Sequence, residues 1–376
     1  MAALEEARRL GASDAAFYCD RATALTLLGD LGEALADFDR AAALDPDDWQ
    51  THTNRGFVRL LVGQWEGGWA DNEWRLKRPD YPHKVYANLA RQWQGEPLAG
   101  KTLLVCAEWG HGDTFQFIRY LRLIEDSGAK ITLVVPAVSR RLLAANFPGV
   151  VVTESIGFQA TFDYQVSLVS LPAIFGTTPE TVPGTGPYLT ADPDRVAKWG
   201  RRLGGPGFRV GIIWQGSLNY ERDRYRSISL ADYAPLAAVP GVRLISIQAM
   251  IGLEQLDVLP PGMAVERLGE EIENNPDGFR EMAAAMANLD LLIMSDTGPT
   301  HLAAALGRPV WLAAPRYADW RWMRGREDSP WYPTMRLFWQ KTAGDSAPVF
   351  ARMARELAGV VARRGDSRDG PRPSPG

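Results

Sequence analysis

Between Leu98 and Pro315 the chain runs twice through one pattern, a short apolar run followed by a helical stretch. The first series reads "KTLLVCAE", "TFQFIRYLRLIEDSG", "KITLVVP", "VSRRLLAANFPG" and "VVVTES". After "FDYQVSLVSLPAIFG" and the Pro/Gly-rich "TTPETVPGTGPYLTADP", the second reads "FRVGIIWQG", "LADYAPLAAVP", "VRLISIQ", "FREMAAAMANLD", "LLIMSD", "THLAAALG" and "PVWLAAP". Strands that are apolar without alternation belong in parallel sheets covered on both faces, and the helices between them are the crossovers. Two such series predict two doubly wound parallel α/β domains, parted at "LGGPG", Leu203–Gly207.

The first 78 residues carry no strand pattern and read as short helices with turns at Gly11, Gly29, Asp45–Pro46 and Gly63. "AAFYCDRATALTLLGDLGEALADFDRAAALDPDD" resembles a tetratricopeptide repeat. Ala34, Phe38 and Ala41 take its small–aromatic–small positions, with Ala22 at its early glycine. "WQTHTNRGFVRLLVGQWEGGWADNEWRLKRPD" fits the same period more loosely, with Gly56 at that glycine. Small residues let paired helices approach and the aromatic fills the gap between them. The expected organisation is a repeat-like helical region over 1–78, a first α/β domain over 79–205, a second over 206–345 and a terminal helix over 346–364. Residues 365–376 hold nothing apolar to bury and are expected to be disordered.

Several functional classes are excluded by composition. A net charge of −4 supplies no basic field for nucleic acid or anionic lipid. The longest apolar runs are far too short to span a membrane, and "MAALEEARRLGASD" does not resemble a signal peptide, so a cytoplasmic protein is expected. Cys19 and Cys106 sit in unrelated elements and cannot form a disulfide framework or metal cluster.

In open α/β sheets, ligands bind beyond the carboxyl ends of the strands. "EWGHGDTFQ" follows the first strand: Gly110 and Gly112 suit a tight turn, and Asp113 with Thr114 opens a helix, either as a cap or as a general base. His111 and Gln116 lie in the same loop. "SDTGPTH" is the more specific segment. Pro299 suits the first turn of a helix, and Gly298 leaves room over its exposed amides. Those N–H groups and the helix dipole make an anion site, which Thr297 and Thr300 extend with hydroxyls. Asp296 suits a sugar hydroxyl, and His301 stands beside the same turn. "IIWQGSLNYERDRYRSISL" sets Trp214, Gly216 and Ser217 at a strand end, with Gln248 after the next strand. Of Arg222, Arg224 and Arg226, the pair Arg226–Ser227 is the best placed to hold a diphosphate, while the first two read as a solvated loop with Glu221 and Asp223. "ADWRWMRGREDSPWYP" packs three Trp, one Tyr and three Arg into an expected surface loop, as core or as a stacking platform for a ring.

Taken together, these loops resemble glycosyltransferase family 9, the heptosyltransferase-like GT-B enzymes, and more closely the bacterial members preceded by tetratricopeptide repeats. "SDTGPTHLAAALGRPVW" is similar to the family's donor-phosphate segment and "GHGDTFQFIRYL" to its first-domain glycine loop. The resemblance implies a GT-B fold of two facing Rossmann-like domains, with acceptor side first and donor side second. It implies an inverting hexosyl- or heptosyl-type transfer without metal or cofactor, in which the nucleotide sugar is a substrate. Asp113 would be the base, with His111 beside it, and the 296–301 turn with Arg226 would hold the donor. The sequence departs from the family at Trp109, where glutamine is usual, and at Tyr164–Leu168, and either departure would alter acceptor choice or mark a weakened enzyme.

The leading expectation is a transferase whose repeats recruit a protein acceptor, such as a surface or flagellar subunit, since helical repeats present concave surfaces to peptides. The alternatives are transfer to lipopolysaccharide or another envelope glycan, and a GT-B scaffold without catalysis.

Overall fold

The computed structural model describes residues 2–81, 86, 89–157, 159–184, 186–218, 223–275 and 277–368. The chain opens with helices α1 (Ala2–Arg9), α2 (Ala15–Leu28), α3 (Leu31–Leu44), α4 (Trp49–Leu61) and α5 (Trp65–Asn72). Asp14 caps α2 by accepting from Phe17 N at 2.8 Å, and Gly29 ends it in the left-handed region at φ 96°. Asp48 starts α4 in the same way. Ala22, Phe38, Ala41 and Val58 form the core of this layer with Cys19, and a buried Arg21–Asp37 pair ties α2 to α3. A Cβ at Gly56 would lie 3.0 Å from Asn72 N, so only glycine lets α4 and α5 meet backbone to backbone.

Among the described residues, eleven strands follow in two sheets. The first holds β1 (Arg91–Gln92), β2 (Thr102–Cys106), β3 (Lys130–Val134), β4 (Val151–Thr153) and β5 (Tyr164–Ser167), in the order β1-β5-β2-β3-β4. The second holds β6 (Phe208–Ile213), β7 (Val242–Ser246), β8 (Val265–Arg267), β9 (Leu291–Met294), β10 (Val310–Ala314) and β11 (Met335–Trp339), in the order β11-β10-β9-β6-β7-β8. Every pairing is parallel. The expected α/β class with parallel sheets is therefore found. Strands β1, β8 and β11 had no expectation: the first two are very short, and β11 lies just past the segment read as a surface loop. One face of the second sheet, through Val210 and Ile212, buries Tyr233, Leu236, Phe350, Met353 and Leu357.

The chain forms two compact units that interleave along the sequence. The first comprises Met1–Val135, Pro148–Thr185 and Tyr317–Trp331; the second comprises Pro136–Phe147, Gly186–Arg316 and Tyr332–Gly376. The helices of 1–78 thus share a unit with the first sheet. Helix Ala137–Asn146, expected within 79–205, belongs to the second unit, where Arg141 pairs with Asp277 at 2.7 Å and Asn146 Oδ1 accepts from Thr190 N at 2.8 Å. The last helix runs Ala347–Arg368, four residues past its expected end, and the rest of the expected disordered tail lies outside the described residues. Among the described residues no helix is long and apolar enough to cross a membrane.

Candidate functional site

In the first unit, β2 runs into Ala107 and Glu108, both buried. Glu108 holds the guanidinium of Arg75, with Nε donating to Oε2 at 3.0 Å and Nη2 to Oε1 at 2.8 Å, and Tyr81 OH donates to Oε1 at 2.7 Å. Burial opposes the charge on Glu108, yet Arg75 and these hydrogen bonds hold its carboxyl below the ordinary glutamate range. The chain then turns at Trp109, whose φ of 49° lies in the left-handed region. Gly110 and Gly112 take ordinary backbone conformations, so the tight turn expected from the glycines is made by the tryptophan. Trp109 is half exposed, edge-on to Tyr81, with the Arg78 guanidinium 5.0 Å from its ring centre.

Helix His111–Phe117 starts here, with Gly110 at its cap position. Asp113 is not that cap. It stands at the third helical position and accepts weakly from Gly110 N at 3.4 Å through Oδ2, while Oδ1 accepts from Arg321 Nη2. Burial raises its pKa above the ordinary aspartate value, with Arg321 pulling in the opposite direction and Asp319 adding to the rise. Burial likewise lowers the pKa of His111, which is neutral at pH 7. Thr114 and Gln116 are fully buried, and Gln116 Oε1 accepts from Arg321 Nε at 2.5 Å, so both serve the turn from inside.

The second unit brings three segments together at the carboxyl ends of its central strands. Asp296 follows β9, and helix Gly298–Ala305 starts at Thr297 without a side-chain cap, with Pro299 in its first turn. Thr300 Oγ donates to Ser295 O at 2.8 Å, and His301 Nδ1 lies 2.8 Å from Tyr332 OH. Thr297, Thr300 and His301 are buried, leaving Asp296, Gly298 and Pro299 as the more open part of the turn. Arg226 Nη1 donates to Asp296 O at 3.0 Å and Nε to Asp223 Oδ1 at 3.0 Å, which joins the arginine to the 296–301 turn. A Cβ on Gly216 would sit 2.5 Å from Arg226 Nη2, so the glycine is what admits the guanidinium. Ser295 Oγ and Ser246 Oγ, at the ends of β9 and β7, are buried with no hydrogen-bond partner.

Several expected ligand contacts face inward instead. Trp214 is fully buried and donates from Nε1 to Gly252 O. Gln248 spends both ends of its amide on backbone, accepting from Trp214 N and Gln215 N and donating to Gln215 O and Ile251 O. Ser227 donates to Asp223 Oδ2 and accepts from Gly216 N. These three shape the loop rather than line it. Ser217 is exposed, and Arg224 is exposed beside Tyr225. Glu221 and Arg222 lie outside the described residues.

The aromatic loop at 317–331 is core, not a surface platform. Trp320, Trp322 and Trp331 are buried; Trp331 stacks on Trp65 of α5 at 5.1 Å, and Trp320 meets Trp69 edge-on at 5.3 Å. Residue types alone did not single out Arg321, Asp319 or Tyr332; the density of arginine among tryptophans in this loop was the available signal. Among the described residues no three His, Cys, Asp or Glu side chains gather as a metal site.

The profile of glycosyltransferase family 9 (heptosyltransferase) matches residues 276–311, a stretch that contains this turn and its helix. Protein FlbA of Caulobacter vibrioides is 28% identical over 405 residues, covering 90% of this chain, which spans 66% of that protein's length. The crystal structure of a glycosyl transferase family 9 protein from Veillonella parvula is similar at 13% identity and TM-score 0.48, over 72% of this chain and 99% of that one. The E. coli ADP-heptose LPS heptosyltransferase II is similar at 15% identity and TM-score 0.47, over 70% of this chain and 99% of that one. The family match is confined to this stretch of the second unit.

Proposed function

We propose that this chain is an inverting GT-B transferase that moves a sugar from a nucleotide-sugar donor to a hydroxyl acceptor, with no metal or cofactor. One observation carries the reading: the family 9 match falls on the helix start that lacks a side-chain cap and has a guanidinium bonded to Asp296 O just before it. Uncapped N–H groups at a helix start and an arginine are what the terminal phosphate of a departing nucleotide needs. In this reading Asp296 takes a sugar hydroxyl, and the Gly298 amide at the helix start holds phosphate. The acceptor oxygen forms its bond to the anomeric carbon as its proton passes to Asp113. The bond from that carbon to phosphate breaks, and its electron pair leaves with the nucleotide. A single displacement of this kind inverts the anomeric configuration.

For the acceptor, we propose a protein segment held by tetratricopeptide-like helices. In support, the sequence of α4 and α5 fits the repeat period loosely, and a cavity of about 640 Å³ opens beside them, lined by Arg59, Gln64, Trp65, Glu66, Thr178 and Glu180. Its mixed charge and the Thr178 hydroxyl suit a polar peptide. Transfer to a protein rather than to a lipid-linked glycan separates this acceptor from an envelope one.

The donor site is tested by melting the full-length protein with UDP, GDP, ADP, dTDP and CMP, beside an Arg226→Gln variant. A ligand at a hundred times its dissociation constant adds about 2.7 kcal/mol to the unit that binds it. At roughly 2 to 4 °C per kcal/mol the shift is easily read. One nucleotide should raise the melting of wild type and do so much less in Arg226→Gln. No response to any of them would leave a scaffold without catalysis as the better account.

A further inference from the structure

Arg321 comes from the 317–331 segment, which returns to the first unit after β10. Its side chain is only 12% exposed and makes three charge-assisted or amide contacts at once. Nη2 donates to Asp113 Oδ1, Nε to Gln116 Oε1 at 2.5 Å, and Nη1 to Asp319 Oδ1 at 2.7 Å. The guanidinium also lies 4.4 Å from the ring centre of Trp320 and 5.6 Å from that of Phe117. Packing alone would be served by an apolar side chain here, and a buried cation is retained against a large desolvation cost. We propose that Arg321 is the positioning residue of the catalytic base, fixing Asp113 through Oδ1 and leaving Oδ2 as the oxygen that takes the acceptor's proton. This rests on the reading of Asp113 as the base.

The charge arrangement suits that task. One guanidinium is shared by two carboxylates, Asp113 and Asp319, so Asp113 is held without being fully neutralised. A carboxylate in a private pair with arginine is a weak base, because the ion pair favours its charged form. Here burial, Asp319 and, more weakly, Glu108 press the Asp113 pKa upward while Arg321 restrains it. His111, the other titratable group of the turn, is neutral, and Glu108 is itself paired with Arg75. The result is a base that is oriented by a cation and still basic.

The test is the carboxyl carbon titration of Asp113 in the full-length, ligand-free protein, with the resonance assigned by its loss in Asp113→Asn. Arg321→Gln should raise the Asp113 pKa by about one unit, a tenfold change in proton affinity. Arg321→Lys should recover part of that shift, since it restores the charge but not the fork. Asp319→Asn, which keeps the local cap, should move the pKa the opposite way. Opposite signs from two neighbours in one loop are not the result of loosened packing. An Asp113 pKa unmoved by Arg321→Gln, or moved in the same direction by both variants, overturns the proposal. Should Arg321→Gln fail to fold, the downward shift in Asp319→Asn decides alone. A failure of the transferase reading appears elsewhere, as a wild-type protein whose melting answers no nucleotide.

Discussion

Asp113 carries opposite demands. Its raised pKa means that the folded state binds the proton more tightly than the unfolded chain does. Stability from this group is therefore fully present below the unfolded pKa and is lost as pH rises through the folded one. Asp113→Asn should accordingly melt higher than wild type at neutral pH, with the difference closing as pH falls below the ordinary aspartate range. The same variant should lose about 10² to 10⁴-fold in transfer rate, the usual contribution of a general base. Higher stability with lower activity is the pattern to look for, by calorimetry across pH and by turnover. Trp109 is strained in a different way. A left-handed conformation costs a residue with a Cβ roughly 1–2 kcal/mol and glycine almost nothing. Trp109→Gly should thus be more stable than Trp109→Ala by about 1 kcal/mol, although both lose the contacts to Tyr81 and Arg78. Denaturant midpoints of the two variants check it.

At the scale of elements, the helical layer depends on close approach. Gly56→Ala gains about 1 kcal/mol of helix propensity in an isolated helix. In the fold the new methyl would lie 3.0 Å from Asn72 N and 3.1 Å from Gly68 O, neither of which can move without separating α4 from α5. Overpacking of this kind typically costs 1–3 kcal/mol, so the net effect should be destabilising. A solvent-facing control, Gly32→Ala, meets nothing within 4 Å and should not destabilise by this route. The phosphate-type turn uses a related device, with Gly216 making room for Arg226 and Asp223. Such glycines are required by what packs against them, with no unusual backbone angle.

At the scale of the whole molecule, the two units are assembled from alternating stretches of chain, and the helical layer is part of the first. Its attachment is specific: Trp69 Nε1 donates to Thr177 O at 2.8 Å, Trp65 and Trp69 pack with Trp331, and Arg75 reaches Glu108. Deleting 1–78 should therefore abolish the melting transition of the first unit instead of releasing an intact transferase. Arg75→Met leaves a buried carboxylate unpaired and should cost about 3–5 kcal/mol, while Arg75→Met with Glu108→Gln should cost less than that single change. Because the Glu108 pKa is lowered, its stabilisation is present above the ordinary glutamate value and lost as pH falls through the folded one. The double variant should therefore lose less stability on acidification than wild type, as thermal melts across pH would reveal.

Periodicity by itself determined the two parallel α/β layers, the helical layer before them and the turns at their strand ends. Those features arise from local pattern: apolar runs without alternation, a helix start with proline, and small residues at helical spacing. "SDTGPTH" was legible for the same reason, since a glycine and a proline act within one turn. Other decisions belong to tertiary structure. Trp214 and Gln248 have the residue types of a binding loop, and only the inward path of the chain turns them into its scaffold. The tryptophans of 317–331 were equally suited to a platform or a core, and the helices of the first unit made them core. Arg321 meets Asp113 across some two hundred positions of sequence, and no local pattern encodes which carboxylate a distant guanidinium will find. Pairings over such separations are set by which elements pack together, a property of the folded chain and not of any segment within it.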